Sequence, residues 1–142
     1  MIHSILRRSN KSRGHVLMEA SFCLVSVFSL LIAAFDFGQF LYIHQALVER
    51  ARTGARWGAI NSPNDLTAIQ NMVLYDAPTG SGAGYFGLTS SMVQVTKPDA
   101  ANNNARIVIF ITDYPYVIYS PFIAGSYRGP NITIAVPLGP PS

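Results

Sequence analysis

Arg13-Gly14-His15-Val16-Leu17-Met18-Glu19, with the apolar run behind it, decides how this chain is built. Four basic residues, Arg7, Arg8, Lys11 and Arg13, stand at or before position 13. After Glu19, residues 20–35 carry no charge. A basic leader, a glycine, a carboxylate five positions on and then an apolar helix is the order of a segment that meets a membrane. Val16 to Phe35 is interrupted only by Glu19, and at 1.5 Å per residue it covers about 30 Å, the hydrocarbon thickness of a bilayer. Ser21, Ser26 and Ser29 are tolerated there because a hydroxyl can bond back to its own helix. A buried helix of a soluble protein seldom runs this long without charge. A removable secretory signal would have an apolar core of about 7–15 residues and then a small-x-small cleavage site. Two places before Ala33 and Ala34 stand Leu31 and Ile32, a poor site, so the helix is expected to be retained.

Beyond the apolar run the helical pattern continues. From Asp36 to Ala59 there is no proline. Gln45, Glu49, Arg52 and Arg56 recur at helical spacing on one face, while Leu47, Ala51, Gly54, Ala55 and Gly58 fall on another. The second stripe is mostly small, so a sheet or a second helix can approach it closely. Glu49 and Arg52 stand one turn apart as a surface pair. A helix from His15 to Ala59 is about 67 Å long, and roughly half of it stands outside a bilayer.

Asn61-Ser62-Pro63-Asn64-Asp65 ends that helix, because Ser62 precedes a proline. Asn64 or Asp65 can cap a second helix, running to about Tyr75, with Leu66, Ile69, Met72 and Val73 on one face. Residues 76–84, rich in glycine, form a loop. No strand leads into it and no lysine follows Gly84, so it is not a phosphate loop. Met92–Thr96, Ala105–Thr112 and Asn131–Val136 read as three strands, with Asn102-Asn103-Asn104 as the turn between the first two. Residues 113–130, rich in Tyr and Pro, separate strands two and three as a candidate contact surface. Three antiparallel strands need a helix over one face, and the small-residue stripe supplies it. Pro137, Pro140 and Pro141 stop further pairing.

At 142 residues there is room for one membrane helix and one small domain. Charged residues make up 12%, against roughly 25% in soluble domains, which points toward membrane or assembly. Of ten Lys and Arg, four precede Gly14; the remaining six face seven Asp and Glu, so the net charge of +3 belongs to the leader. No basic stripe survives in the body, which excludes a nucleic-acid footprint. The single cysteine, Cys23, excludes an intramolecular disulfide and a cysteine zinc site. Four cations before the span against Arg50, Arg52 and Arg56 after it favour a cytoplasmic N-terminus. The folded segment after the helix argues the same way.

No enzyme constellation is present, and no cofactor or small-molecule substrate is expected. His15 and His44 stand about 40 Å apart along a helix, so with His3 they cannot share a metal. Asp113 beside Tyr114 reads as a strand-end surface residue. Asn131-Ile132-Thr133 fits a glycosylation pattern but lies in a strand. Glu19 needs an explanation. It lies about 7 Å into the helix, where it can face the positive end of the helix dipole and the headgroups. If the chain is cut after Gly14, His15 gains a free amine. In an array of parallel helices, Glu19 of one subunit can then pair with that amine on a staggered neighbour. An ionised group in a membrane segment is costly alone and tends to mark function.

Gly14 followed by Glu19 at a basic-to-apolar junction resembles the type IV prepilin processing site. Asp36-Phe37-Gly38-Gln39, Gln45-Ala46-Leu47 and Ala51-Arg52-Thr53-Gly54-Ala55-Arg56-Trp57-Gly58-Ala59 resemble the TadE-like pseudopilins of the tight-adherence (Flp) pilus system. The resemblance covers residues 13–60. In that family a retained helix carries an E/D-F-G-x segment and then an A-R-x-G-A-R-x-G/A segment. Ala20 stands where the family usually has an aromatic, the apolar run lacks a proline, and His15 is an unusual first residue. The resemblance implies a leader removed between Gly14 and His15 by a membrane-embedded prepilin peptidase. It implies Glu19 as the recognition and assembly carboxylate, and a minor component that helps start, assemble or anchor a filament. Asp36, Gly38, Arg52, Gly54 and Arg56 carry the family-like helix motif.

The expected architecture is α+β and pilin-like. Residues 1–14 form an unstructured cytoplasmic leader, 15–36 a transmembrane helix, 37–60 its extension and 61–142 a small extracytoplasmic domain. That domain holds a short helix and a three-stranded antiparallel sheet. The expected function is that of a pseudopilin in the inner membrane of a bacterial cell envelope. Its expected partners are the membrane, the peptidase, other pilins or pseudopilins and the pilus assembly platform. The alternative is an uncleaved single-span envelope protein whose outer domain binds a protein partner.

Overall fold

The computed structural model describes residues 11–98, 105–118 and 125–138. The chain is α+β, with helix α1 at Lys11–Asn61 and α2 at Leu66–Tyr75. Strands follow at Val93–Thr96 (β1), Arg106–Ile111 (β2), Pro115–Ile118 (β3), Gly125–Arg128 (β4) and Ile132–Pro137 (β5).

Helix α1 runs 51 residues without a break. It begins at Lys11, so residues 11–14, expected in an unstructured leader, are helical. Propagating an existing helix by a turn is easy, and Gly14 costs only about 1 kcal/mol relative to alanine. Residues 1–10, with Arg7 and Arg8, lie outside the described residues, as do Asn102–Asn104, Tyr119, Pro121, Pro140 and Pro141. Ser21, Ser26 and Ser29 donate their hydroxyls to the carbonyls of Leu17, Phe22 and Val25, each at 2.8 Å, so their polarity is absorbed within the helix. At the far end Asn61 Nδ2 donates to Trp57 O at 3.1 Å, and Pro63 prevents continuation.

Asp65 caps α2: its Oδ1 accepts from the Ala68 amide at 2.9 Å. The buried face of α2 is Ala68, Ile69, Val73 and Leu74. Leu66 is 37% exposed and Met72 half-buried, so the apolar face is rotated from the one expected. The reason is the direction of approach. A Cβ at Gly58 would come within 2.5 Å of Ile69 Cγ1, and one at Gly54 within 2.5 Å of Val73 Cγ2. Contacts that descend α1 as α2 ascends make the pair antiparallel.

The sheet has the order β1-β2-β5 and is antiparallel throughout. Val95 faces Ile109 across one ladder, and Ile109 faces Ile134 across the other. Val93, Ile107, Ile109, Ile111 and Ile132 are buried in one core with Leu47, Ala51, Ala55, Ile69, Val73, Leu74 and Leu88. Residues Gln94, Thr96, Thr133 and Ala135 alternate with these and are exposed. The small-residue stripe of α1 receives both the second helix and the sheet, since Gly58 also approaches Ile107. Pro137 ends β5 opposite Arg106, one residue later than expected.

The sequence pattern does not predict β3 and β4. They form a separate two-stranded antiparallel ribbon, with Tyr116 opposite Tyr127 and Val117 opposite Ser126. Asp113 starts it with a left-handed φ of 57°, a conformation aspartate tolerates, which turns the chain out of β2.

Candidate processing and assembly site on the first helix

Gly14, His15 and Glu19 are exposed on one continuous helix. A Cβ at Gly14 would meet nothing within 4 Å among the described residues. His15 and Glu19 are four residues apart and so share a face. Among the described residues one helix is long and apolar enough to cross a membrane, and it is this one; its most apolar 18-residue window is 0% buried. Phe22, Leu24, Val25, Phe28, Leu30 and Leu31 are all more than half exposed. Nothing within the described chain covers them, so the apolar surface is available to lipid or to other helices.

The globular part begins at Asp36. That residue is 8% exposed, between Phe35 at 67% and Phe37 at 63%. Gly38 is exposed and open. Gln39 Oε1 is buried without a hydrogen-bond partner among the described residues. Farther along, Arg52 Nη1 lies 2.6 Å from Glu49 Oε1, the surface pair the spacing predicts. Arg56 is exposed, whereas Gly54 is buried against α2. The motif residues therefore do different things. Gly54 permits close packing, Arg52 makes an ion pair on the surface, and Gly38 and Arg56 face outward.

Sequence reasoning missed an aromatic collar around α1 just past Asp36. Tyr116 of β3 packs on Phe40, with ring centroids 4.6 Å apart. Its hydroxyl lies 3.1 Å from His44 Nδ1, a hydrogen bond whose direction follows the imidazole tautomer. Tyr114 meets Tyr116 edge-on at 4.9 Å and donates its hydroxyl to Phe86 O at 2.7 Å. Burial raises the pKa of Tyr114; burial and then the neighbouring Tyr114 raise that of Tyr116. Arg50 sits 4.3 Å over the Tyr85 ring and pairs with Asp76 at 2.7 Å. The Tyr and Pro content of residues 113–130 is the signal in the sequence. It marks a contact surface without saying that α1 is the contact.

The described residues hold no group of three or more His, Cys, Asp and Glu able to bind a metal. A shallow groove between α2 and β1 is lined by Gln70, Gln94, Thr96 and uncharged neighbours, so it offers no acid or base. Gln70 Nε2 is already committed to Ser90 O at 2.8 Å and Val93 O at 2.6 Å. Compared with known protein families, with characterised proteins and with solved structures, the chain matches none.

Proposed function

We propose that this chain is a minor, pilin-like component of tight-adherence pilus biogenesis, cut between Gly14 and His15 by a prepilin peptidase and assembled through its first helix. The observation that carries the reading is the placement of Gly14 and Glu19 on one exposed helix, at the head of an apolar surface that nothing in the described chain covers. Cleavage would leave the His15 amine one turn from Glu19. A neighbour staggered along the axis would then bring its own amine to that carboxylate. In lipid such a pair replaces two costly charges by one neutral contact. The domain would stand outside a bacterial inner membrane, with the basic leader in the cytoplasm. Its partners would be other pilins or pseudopilins and the assembly platform, and its role structural rather than catalytic.

The test is the intact mass of the protein from its native membrane, with and without the prepilin peptidase. Loss of residues 1–14 only when the peptidase is present is the expected outcome. Gly14→Leu should abolish that loss and stop assembly, while leaving the outer domain folded, because a side chain at position 14 meets nothing among the described residues. Full-length mass in both samples would overturn the processed-pseudopilin reading in favour of an uncleaved single-span anchor with an outer binding domain.

A further inference from the structure

Two helices cover the three-stranded sheet. Side chains of α1 and α2 meet Val93, Ile107, Ile109, Ile111 and Ile132 in one core, so both helices lie on the same face of the sheet. Helix α1 packs on β2 and β5, and α2 packs on β1. Two helices side by side are about 20 Å across. Three strands are about 14 Å across. The helical layer is therefore wider than the sheet by about one strand.

Hydrogen bonds place that overhang beside β1. Thr112 N donates to Met92 O at 2.9 Å, so Met92, Gln94 and Thr96 turn their backbone groups toward β2. Val93 and Val95 turn theirs the other way. Gln70 of α2 meets Val93 O from that outer side, at 2.6 Å. Beneath the overhang lies the shallow groove, with Leu66, Thr67 and Gln70 on one wall and Val93–Thr96 on the other. No described residue bonds the outward amide and carbonyl of Val95. Edge strands are ordinarily blunted by charge, proline or a bulge. Strand β1 has none of these: it reads Val-Gln-Val-Thr, and its register runs unbroken from Val93 opposite Ile111 to Thr96 opposite Val108. Leu66, 37% exposed, is left uncovered on the helix wall of the same groove.

We propose that this groove takes an extended, uncharged segment of a partner protein as a fourth strand beside β1. The guest residue opposite Val95 exchanges both backbone hydrogen bonds with it, in the antiparallel sense. Its side chain points under α2 toward Leu66 and is apolar. Its two neighbours point to the opposite face, beside Gln94 and Thr96, and are polar. No charged side chain lines the groove, so an ionised guest residue would lose water without gaining a partner. Gln70 holds Val93 O and so stands in for the next rung of the ladder. A second copy's sheet fits less well: each edge strand carries a helix, which would arrive in the space α2 already fills. The groove is built from α2 and the chain around β1 alone, so the proposal does not depend on α1 as a membrane span or on cleavage at Gly14.

The test uses the full chain in detergent micelles and capped, dye-labelled five-residue peptides that alternate threonine with valine or leucine. Saturable binding is expected. Methylating the backbone nitrogens of the apolar residues, which face β1, should abolish it, whereas methylating those of the threonines, which face away, should leave it. Val95→Pro removes one edge N–H at a position proline tolerates, and Leu66→Arg places a charge in the groove. Each should weaken binding by about tenfold or more, with the parent's circular dichroism showing that the variant is folded. Absence of saturable binding across the peptides, equal effects of the two methylation patterns, or parent affinity in both variants would overturn the proposal. Self-association of the chain that Leu66→Arg abolishes would assign the groove to a second copy, and overturn it as well.

Discussion

Gly54 contributes by having no side chain. A Cβ there would lie 2.5 Å from Val73 Cγ2, 3.4 Å from the Val73 amide and 3.5 Å from Ile69 O. Methyl groups can shift, but helix backbone yields little. Alanine at this position would regain about 1 kcal/mol of helix propensity, which offsets part of the clash. Valine has no such relief, being larger and β-branched. Gly54→Val is expected to lower stability by about 1–3 kcal/mol, read as a reduced denaturant midpoint in detergent. A midpoint unchanged from the parent would show that α2 does not seat on Gly54. By contrast a Cβ at Gly14 or Gly38 would meet nothing within 4 Å among the described residues, so packing against these gives no reason for a glycine at either place.

Among the elements, the β3–β4 ribbon depends most on its surroundings. Two four-residue strands do not hold together in water by themselves. Here the ribbon is held through Tyr116, 3% exposed between Phe40, His44 and Tyr114. Gly129 leaves the space its ring occupies. That burial sets a pH dependence. Tyr114 and Tyr116 have pKa values raised above 10.0 in the folded chain, so the unfolded chain loses these protons first as pH rises. Their contribution is complete below about pH 10 and is lost as pH climbs through the folded values. The unfolding midpoint is therefore expected to be insensitive to these groups at neutral pH and to fall above pH 10, with a shallower fall in Tyr116→Phe. Equal slopes in parent and variant would mean that Tyr116 is not buried in solution.

On the scale of the molecule, one core joins the long apolar helix to the domain that follows it. Leu47, Ala51 and Ala55 of α1 are 0% exposed and lie in the same cluster as Ile69, Ile107 and Ile109. Among the described residues after α1, only the ten of α2 form another α-helix that can cover the inner face of the sheet. A fragment of residues 61–142 is expected to lack cooperative unfolding, whereas 37–142 should fold and melt cooperatively, both followed by circular dichroism. A cooperative transition in the shorter fragment would show that α1 is an attachment and not part of the core. The same continuity bears on the proposed function. A force or displacement applied to the domain after α1 is transmitted to Glu19 along one unbroken helix.

By itself the sequence determined what local physics can settle. Twenty nearly uncharged residues after a basic leader made a helix long enough to span hydrocarbon. Small residues at helical spacing announced a packing stripe, β-branched runs marked the three sheet strands, and Pro63 with Asp65 placed the break and the cap. The pattern of Gly14 and Glu19 was visible for the same reason, since it is a spacing along one chain. Only the tertiary structure decided the rest. Leu66 and Met72 lost their place on the buried face because α2 approaches α1 through Gly54 and Gly58, an angle no periodicity encodes. The ribbon had weak strand signals, with Pro115 in one arm and Gly125 and Ser126 in the other. Its order comes from Tyr116 meeting Phe40 and His44, 72 positions away for the histidine. Contacts at that separation are stabilised by burial rather than by local preference, and burial exists only once the chain has folded.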